Sequence, residues 1–302
     1  MTDRFGKHSY YDEDSGRSLT IVDEAEHSVM SHEQLAALRA EKQRQDAIKA
    51  GGIRHYVTAY HGPVRKLNDI LSLNEIGAIM KLVPYMRFDK DGALMLDTKR
   101  MGIAEIAKVI GKASRWSVTL VGNLVDTGVL VAEKEGRRNV YIVAEAYHTI
   151  GRAVSGTPFT KVYQTKTRTD IANVSIQAAG FLYKMIPFIH YEHLYLCCNP
   201  NVRDSEQIRH LSQNRFAEEV GVDHETSVRC MRELISAGFV MRSEAFGAKI
   251  IRMNPDVMFR KRTKDERDDI TEFVRGEFRQ ALNADKQGDR GEVAVDERKL
   301  PF

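Results

Sequence analysis

Apolar positions recur along this chain with two periods, helical and alternating, and the same succession of periods occurs twice. In LNEIGAIMKLVPYM (73–86), Leu73, Ile76, Ile79, Met80 and Val83 share one helical face, and Pro84 marks where the helix ends or bends. A short apolar run, Ala93–Leu96, reads as a strand. IAEIAKVIG (103–111) then forms a short amphipathic helix closed by Gly111, a residue that takes positive φ without a Cβ penalty. The next stretch, KASRWSVTLVGNLVDTG, predicts a helix with Ser114 as N-cap and Val118, Val121, Leu124 and Val125 turned to a core. VLVAEKEGRRNVYIV (129–143) alternates around a glycine turn and reads as a β-hairpin.

The second succession matches the first in order, spacing and residue class. YVTAY at 56–60 answers FTKVY at 159–163, and LNEIGAIMKLVPYM answers IQAAGFLYKMIPFI at 176–189, both at a separation of 103 residues. Gly77 meets Gly180, Lys81 meets Lys184 and Pro84 meets Pro187. The separation then becomes 110, where MGIAEIAKVIG (101–111) answers LSQNRFAEEVG (211–221) and Ser117-Val118 meets Ser227-Val228. Leu194–Cys198 takes the place of the first strand. Asp223 caps a helix that buries Val228, Met231, Leu234 and Ile235, and FVMRSEAFGAKIIRM (239–253) is the second hairpin. The chain is one domain written twice.

A helix, a glycine turn, a capped second helix and then a hairpin make a winged helix-turn-helix. The fold expected is therefore α+β and mainly helical, with two tandem winged helix-turn-helix domains, an N-terminal helix and a C-terminal helical arm. The boundaries are 1–52, 53–152, 156–260 and 261–302. Residues 1–30 are polar and without sustained periodicity, and read as mostly disordered. Ser31 caps a helix-forming run that reaches Gly51-Gly52. In the arm, Ile270, Phe273, Val274, Phe278 and Leu282 form an apolar stripe on a charged helix. It suits packing on the second domain, a homodimer, or a replication or transcription protein held through residues 262–284. Residues 285–302 read as disordered, ending in the apolar Leu300-Pro301-Phe302, a possible docking motif.

Charge sharpens this picture once it is divided. The whole chain carries +3, but residues 1–50 hold −3, residues 257–302 are neutral, and the repeated middle holds +6, mostly in its first half. Such an excess fits nucleic acid as partner. The second helix of each repeat would enter the major groove. Its non-core positions are Ser114, Arg115, Trp116, Thr119 and Asn123 in the first repeat and His224, Glu225, Thr226, Arg229 and Arg232 in the second. Arg115 and Arg229 suit guanine and Asn123 suits adenine, each with a solvated helix face or ion pair as the other reading. Trp116, the only tryptophan, either meets a thymine methyl, lies on the sugar–phosphate, or packs inside the fold. Lys134, Arg137 and Arg138 make the first wing basic, whereas Arg242 and Lys249 in the second are accompanied by Glu244 and Phe246.

The second repeat resembles the winged-helix core of the Firmicute plasmid replication protein family of the RepL type and related phage replication and regulatory proteins. The matching segments are FTKVY (159–163), FAEEVGVDHETSVRCMRELISAGFVMR (216–242) and IIRMNPDVMFR (250–260). That resemblance implies DNA binding and a part in mobile-element replication or its control. The chain departs from the family in its upstream copy, which reads VAEAYHTIG where the second has the Asn-Pro pair.

Enzyme chemistry is not expected. There is no Gly-x4-Gly-Lys-Ser/Thr phosphate loop, and GKAS (111–114) lacks its upstream glycine. His190, His193, Cys197, Cys198 and His210 do not form a metal set, because adjacent cysteines on a strand point to opposite faces. His190-Tyr-Glu-His193 lacks the acidic surround of a metal-dependent nicking tyrosine, and Tyr141 and Tyr163 read as structural aromatics. The chain has three cysteines, too few for a disulfide framework, no membrane-length apolar run and no signal-peptide core, so a cytoplasmic protein without cofactor or metal is expected. The function expected is sequence-specific binding of double-stranded DNA by a phage or plasmid transcription regulator. A replication-origin binder and a winged-helix interaction scaffold are the alternatives.

Overall fold

The computed structural model describes residues 8–21, 31–39, 54–87, 92–150, 153–245, 248–262 and 265–286. The chain divides into two compact units, Met1–Gly52 and Ile53–Phe302. In the first, β1 (His8–Asp12) and β2 (Arg17–Ile21) pair antiparallel with His8 opposite Ile21. This corrects the expectation of disorder over residues 8–21, while 1–7 and 22–30 lie outside the described residues. The turn supplies its own chemistry, since the Asp12 carboxylate accepts from Ser15 Oγ at 2.6 Å and Gly16 takes φ +67°. The helix predicted after Ser31 is present as α1 (32–39), with Ser31 and Gln34 exchanging capping bonds of 2.9 and 3.1 Å. The remainder of that run, 40–53, lies outside the described residues.

The second unit holds both repeats. The first runs β3 (Tyr56–Tyr60), α2 (His61–Ile70), α3 (Leu73–Leu82), a 3-10 turn at Val83–Tyr85, β4 (Met95–Leu96), β5 (Lys99–Arg100), α4 (Ile103–Ile110), α5 (Ser114–Asp126), β6 (Leu130–Glu135), β7 (Arg138–Val143) and β8 (His148–Ile150). The second runs β9 (Phe159–Tyr163), α6 (Gln164–Ile171), α7 (Ile176–Lys184), 3-10 turns at Ile186–Phe188 and Ser205–Gln207, α8 (Gln213–Glu219), α9 (His224–Ser236), β10 (Val240–Ala245), β11 (Ala248–Met253) and β12 (Met258–Phe259). α10 (Asp269–Lys286) follows. Both prolines sit in the 3-10 turns that end α3 and α7, as their missing N–H requires. Between α7 and α8, the expected strand at Leu194–Cys198 contributes only isolated bridges, Tyr195 to Arg252 among them. α2 and α6 add a helix to each repeat that the sequence reading lacked.

A local two-fold relates the repeats. β3 and β9 pair antiparallel about the Thr58–Lys161 pair, with Tyr56 opposite Tyr163 and Tyr60 opposite Phe159. β8 flanks β3 with Ala59 opposite His148, and β12 flanks β9 with Val162 opposite Met258, giving one sheet ordered β12-β9-β3-β8. Above it α3 crosses α7 through glycines. A Cβ on Gly77 would lie 1.9 Å from the Ile176 carbonyl oxygen, and one on Gly180 would lie 2.1 Å from that of Leu73. Only hydrogen fits there. Lys81 Nζ donates to Val174 O across the junction at 2.8 Å, and Lys184 Nζ returns to Asn68 O at 2.8 Å. Arg65 lies over Phe188 and donates to Pro187 O, while Arg168 lies over Tyr85 and donates to Pro84 O. The two arginine contacts are exact counterparts, and the two lysines cross reciprocally onto carbonyls at nearby positions of the opposite repeat. The apolar interior is continuous through both repeats.

α10 packs on the second repeat. Val274 and Phe278 are buried, Ile270, Phe273 and Leu282 are half-buried, and Leu282 carbons would lie 3.2 Å from a Cβ on Gly238. Buried Arg252 pairs with Glu277 and with the Tyr195 hydroxyl. Asp256 joins Arg275 at 2.9 Å and Arg54 at 3.1 Å, so the Asn-Pro-Asp corner ties α10 to the start of the unit. Of the alternatives the stripe suited, packing on the second domain is the one the structure shows. The terminal Leu300-Pro301-Phe302 lies outside the described residues.

Candidate nucleic-acid interface

The outward faces of α5 and α9 are built by the elements beneath them. Gly111 and Gly221 close α4 and α8 at φ +71° and +66°, which turns the chain into the next helix. Asp223 caps α9 by accepting from Thr226 N at 2.8 Å, and that bond holds its carboxyl below the usual range. α5 differs from expectation. Its N-cap is Ala113, without a side-chain bond, and Ser114 is the first helical residue.

The buried face of α5 is Ser117, Leu120, Val121 and Leu124. This corrects the placement of Val118, which is 55% exposed. Ser117 takes the inward position because its hydroxyl donates to Ala113 O at 3.0 Å, which satisfies it without water. α9 uses the same register, burying Ser227, Cys230, Met231 and Leu234 and leaving Val228 half-buried.

Ser114, Arg115, Trp116, Thr119 and Asn123 all lie exposed on α5. Arg115 makes no bond within the described residues, whereas Asn123 donates to Glu75 Oε1 at 2.8 Å. Burial pushes the Glu75 carboxyl up, but bonds from Ser72 and Asn123 outweigh it and hold the group below its ordinary value. Trp116 is 37% exposed with Lys112 Nζ 5.6 Å from its ring centre, so it is not a core residue. On α9, His224, Glu225 and Arg232 are exposed and Thr226 is half-buried. Arg229 is exposed but donates to Gln177 Oε1 at 2.6 Å, while Arg232 makes no bond among the described residues.

The hairpins complete each face. β6 pairs β7 from Leu130–Val143 to Glu135–Arg138, and Leu94 N donates to Tyr141 O, so the strand before α4 joins the hairpin. Lys134 and Arg137 are exposed and unpaired among the described residues. Arg138 is tied to Glu135 at 2.6 Å and to Arg100 O, which spends part of the charge expected there. In the second hairpin, Arg242 donates to Gln213 Oε1 at 2.7 Å and Lys249 stands opposite Glu244 in the ladder. The turn at 246–247, including Phe246, lies outside the described residues. The structure thus gathers the predicted residues of each repeat onto one helix and one hairpin, and the local two-fold relates the two sets.

Elsewhere, the rings of His190, His193 and Tyr195 stack, and Tyr195 meets His210 edge-on. Burial lowers all three histidines, His193 to about 4. Among the described residues no group of three or more His, Cys, Asp or Glu is arranged to hold a metal ion, and no helix is long and apolar enough to cross a membrane. No family model, no curated protein and no solved structure matches this chain.

Proposed function

We propose that the chain is a sequence-specific double-stranded DNA-binding protein that reads its site with α5 and α9, each the second helix of a winged helix-turn-helix. The observation that carries this reading is the pair of two-fold-related outward faces, each a solvent-facing helix beside a hairpin. Buried structure is symmetric between the repeats, whereas the outward residues differ: Arg115, Trp116, Thr119 and Gly122 stand where the second repeat has Glu225, Thr226, Arg229 and Arg232. Fixed scaffold with varied outward chemistry is what reading two different half-sites demands. A local two-fold turns one helix to face opposite to the other, so the expected site is an imperfect inverted repeat. Paired readers on one chain suit occupancy of a control site, and the protein is read as a transcription regulator of a phage or plasmid.

Selection of duplex fragments by the purified protein tests this, repeated with Arg115→Ala and Arg232→Ala. The expected result is an enriched inverted motif, with preference lost at one half-site in one variant and at the other half-site in the second, at about 1–3 kcal/mol each. No enriched motif, or no salt-sensitive duplex binding, overturns the reading. Selected sites confined to repeats near a replication origin would move the role from transcription to initiation.

A further inference from the structure

Four positions, spaced i, i+3, i+4 and i+7, share one outward-facing side of each helix. On α9 they are Glu225, Val228, Arg229 and Arg232, three of them charged. On α5 they are Arg115, Val118, Thr119 and Gly122, and only the first is charged. Val118 is 55% exposed on this face, and a Cβ on Gly122 would meet nothing within 4 Å. Trp116 stands beside them, and Val131 on β6 is 47% exposed. A β-branched residue gains little on an exposed helix face, being neither a strong helix former nor soluble through charge. Arg115 on the same helix, and Lys134 and Arg137 on the hairpin that follows it, are exposed cations without partners among the described residues. Such cations suit phosphates, and methyl-bearing side chains on the same helix suit a groove that itself displays methyl groups.

We infer that the first repeat reads thymine C5-methyl groups, with Val118 and Thr119 as the specificity-determining contacts and Gly122 letting the groove edge approach the helix backbone. The second repeat, with two arginines and a glutamate on the same face, reads base edges by hydrogen bonds to guanine and cytosine. This inference rests on the DNA-binding reading above and adds the chemistry of one half-site. It gives the exposed valine a role that neither folding nor charge supplies.

Deoxyuridine differs from thymidine only by the missing methyl, so it isolates the contact. Using the full chain and a selected duplex, thymines are replaced by uracil in one half-site at a time. Uracil in the half-site assigned to α5 by Arg115→Ala is expected to weaken binding about fourfold per contacted methyl, the cost of leaving one methyl unburied. Uracil in the other half-site leaves affinity unchanged. Val118→Ala, a surface substitution, binds the thymine duplex more weakly and brings the thymine-to-uracil ratio close to one. Equal affinity for thymine and uracil at the first half-site, absence of thymine from it, or full discrimination by Val118→Ala overturns the inference while leaving DNA binding standing. Failure to bind any duplex removes both.

Discussion

His148 shows how one side chain sets a pH dependence for the whole unit. It is fully buried at the repeat junction, where Nε2 meets the Tyr183 hydroxyl at 2.8 Å; the two-fold-equivalent positions are Met258 and Met80, both buried. Burial lowers His148 to about 4 and lowers His61 to about 3, so both rings are neutral in the fold. The unfolded chain takes up these protons near pH 6.5 and the folded chain does not. Stability is therefore whole above pH 6.5 and falls as pH drops toward about 4, by about 1.4 kcal/mol per pH unit for each such histidine. Urea unfolding across that range should show the decline, and His148→Gln should make it shallower by one histidine's share. An unchanged slope in the variant would mean that His148 is protonated in the fold. Single residues were also where sequence reading erred. Val118 is three residues from Val121, so it enters a helical stripe by spacing alone. Ser117, the residue that is buried, hides its polarity in a bond to its own helix, and hydropathy cannot show that.

Among the described elements, the crossing of α3 and α7 leaves room only for hydrogen at Gly77 and Gly180. Gly77→Ala and Gly180→Ala each drive a methyl into a backbone carbonyl that has no rotamer to escape through. Each is expected to cost about 3 kcal/mol or more in chemical denaturation, similar for the two because the contacts are reciprocal. A cost below ~0.5 kcal/mol, the range of ordinary surface substitutions, would show that the helices do not meet there. Both glycines were visible as repeat identities, yet a repeat signal does not say which surfaces touch. The helix pairs α4–α5 and α8–α9 and the hairpins after them were legible because amphipathic period and turn glycine agree there. α6 was not, since QTKTRTDI buries Gln164 and Thr167 as well as Ile171, and Gln164 is held by the carbonyls of Pro84 and Met86. Tertiary hydrogen bonding replaced the apolar stripe that periodicity requires. In the arm, the stripe was correctly placed on one face, but the buried Arg252–Glu277 pair that docks it joins residues far apart in the sequence.

At the scale of the molecule, charge counted from composition overstates what is available. Of the first hairpin's cations, Arg138 is engaged with Glu135, whereas Lys134 and Arg137 are exposed and unpaired among the described residues. Arg137→Ala should therefore reduce the salt slope of duplex binding by about one unit, and Arg138→Ala by clearly less. Equal losses would show that the Glu135 pair breaks on binding, and no loss from Arg137→Ala would remove the hairpin from the interface. The shared sheet and the glycine crossing have one more consequence. On the proposed DNA-binding reading, two readers joined by a flexible tether would tolerate half-sites at varied separations, but readers cast in a single body would work as a calliper set to one gauge. Since B-DNA turns once in about 10 base pairs, one inserted base pair between half-sites swings the far groove away by roughly a tenth of a turn. The jaws cannot follow, so spacing should be guarded as closely as sequence.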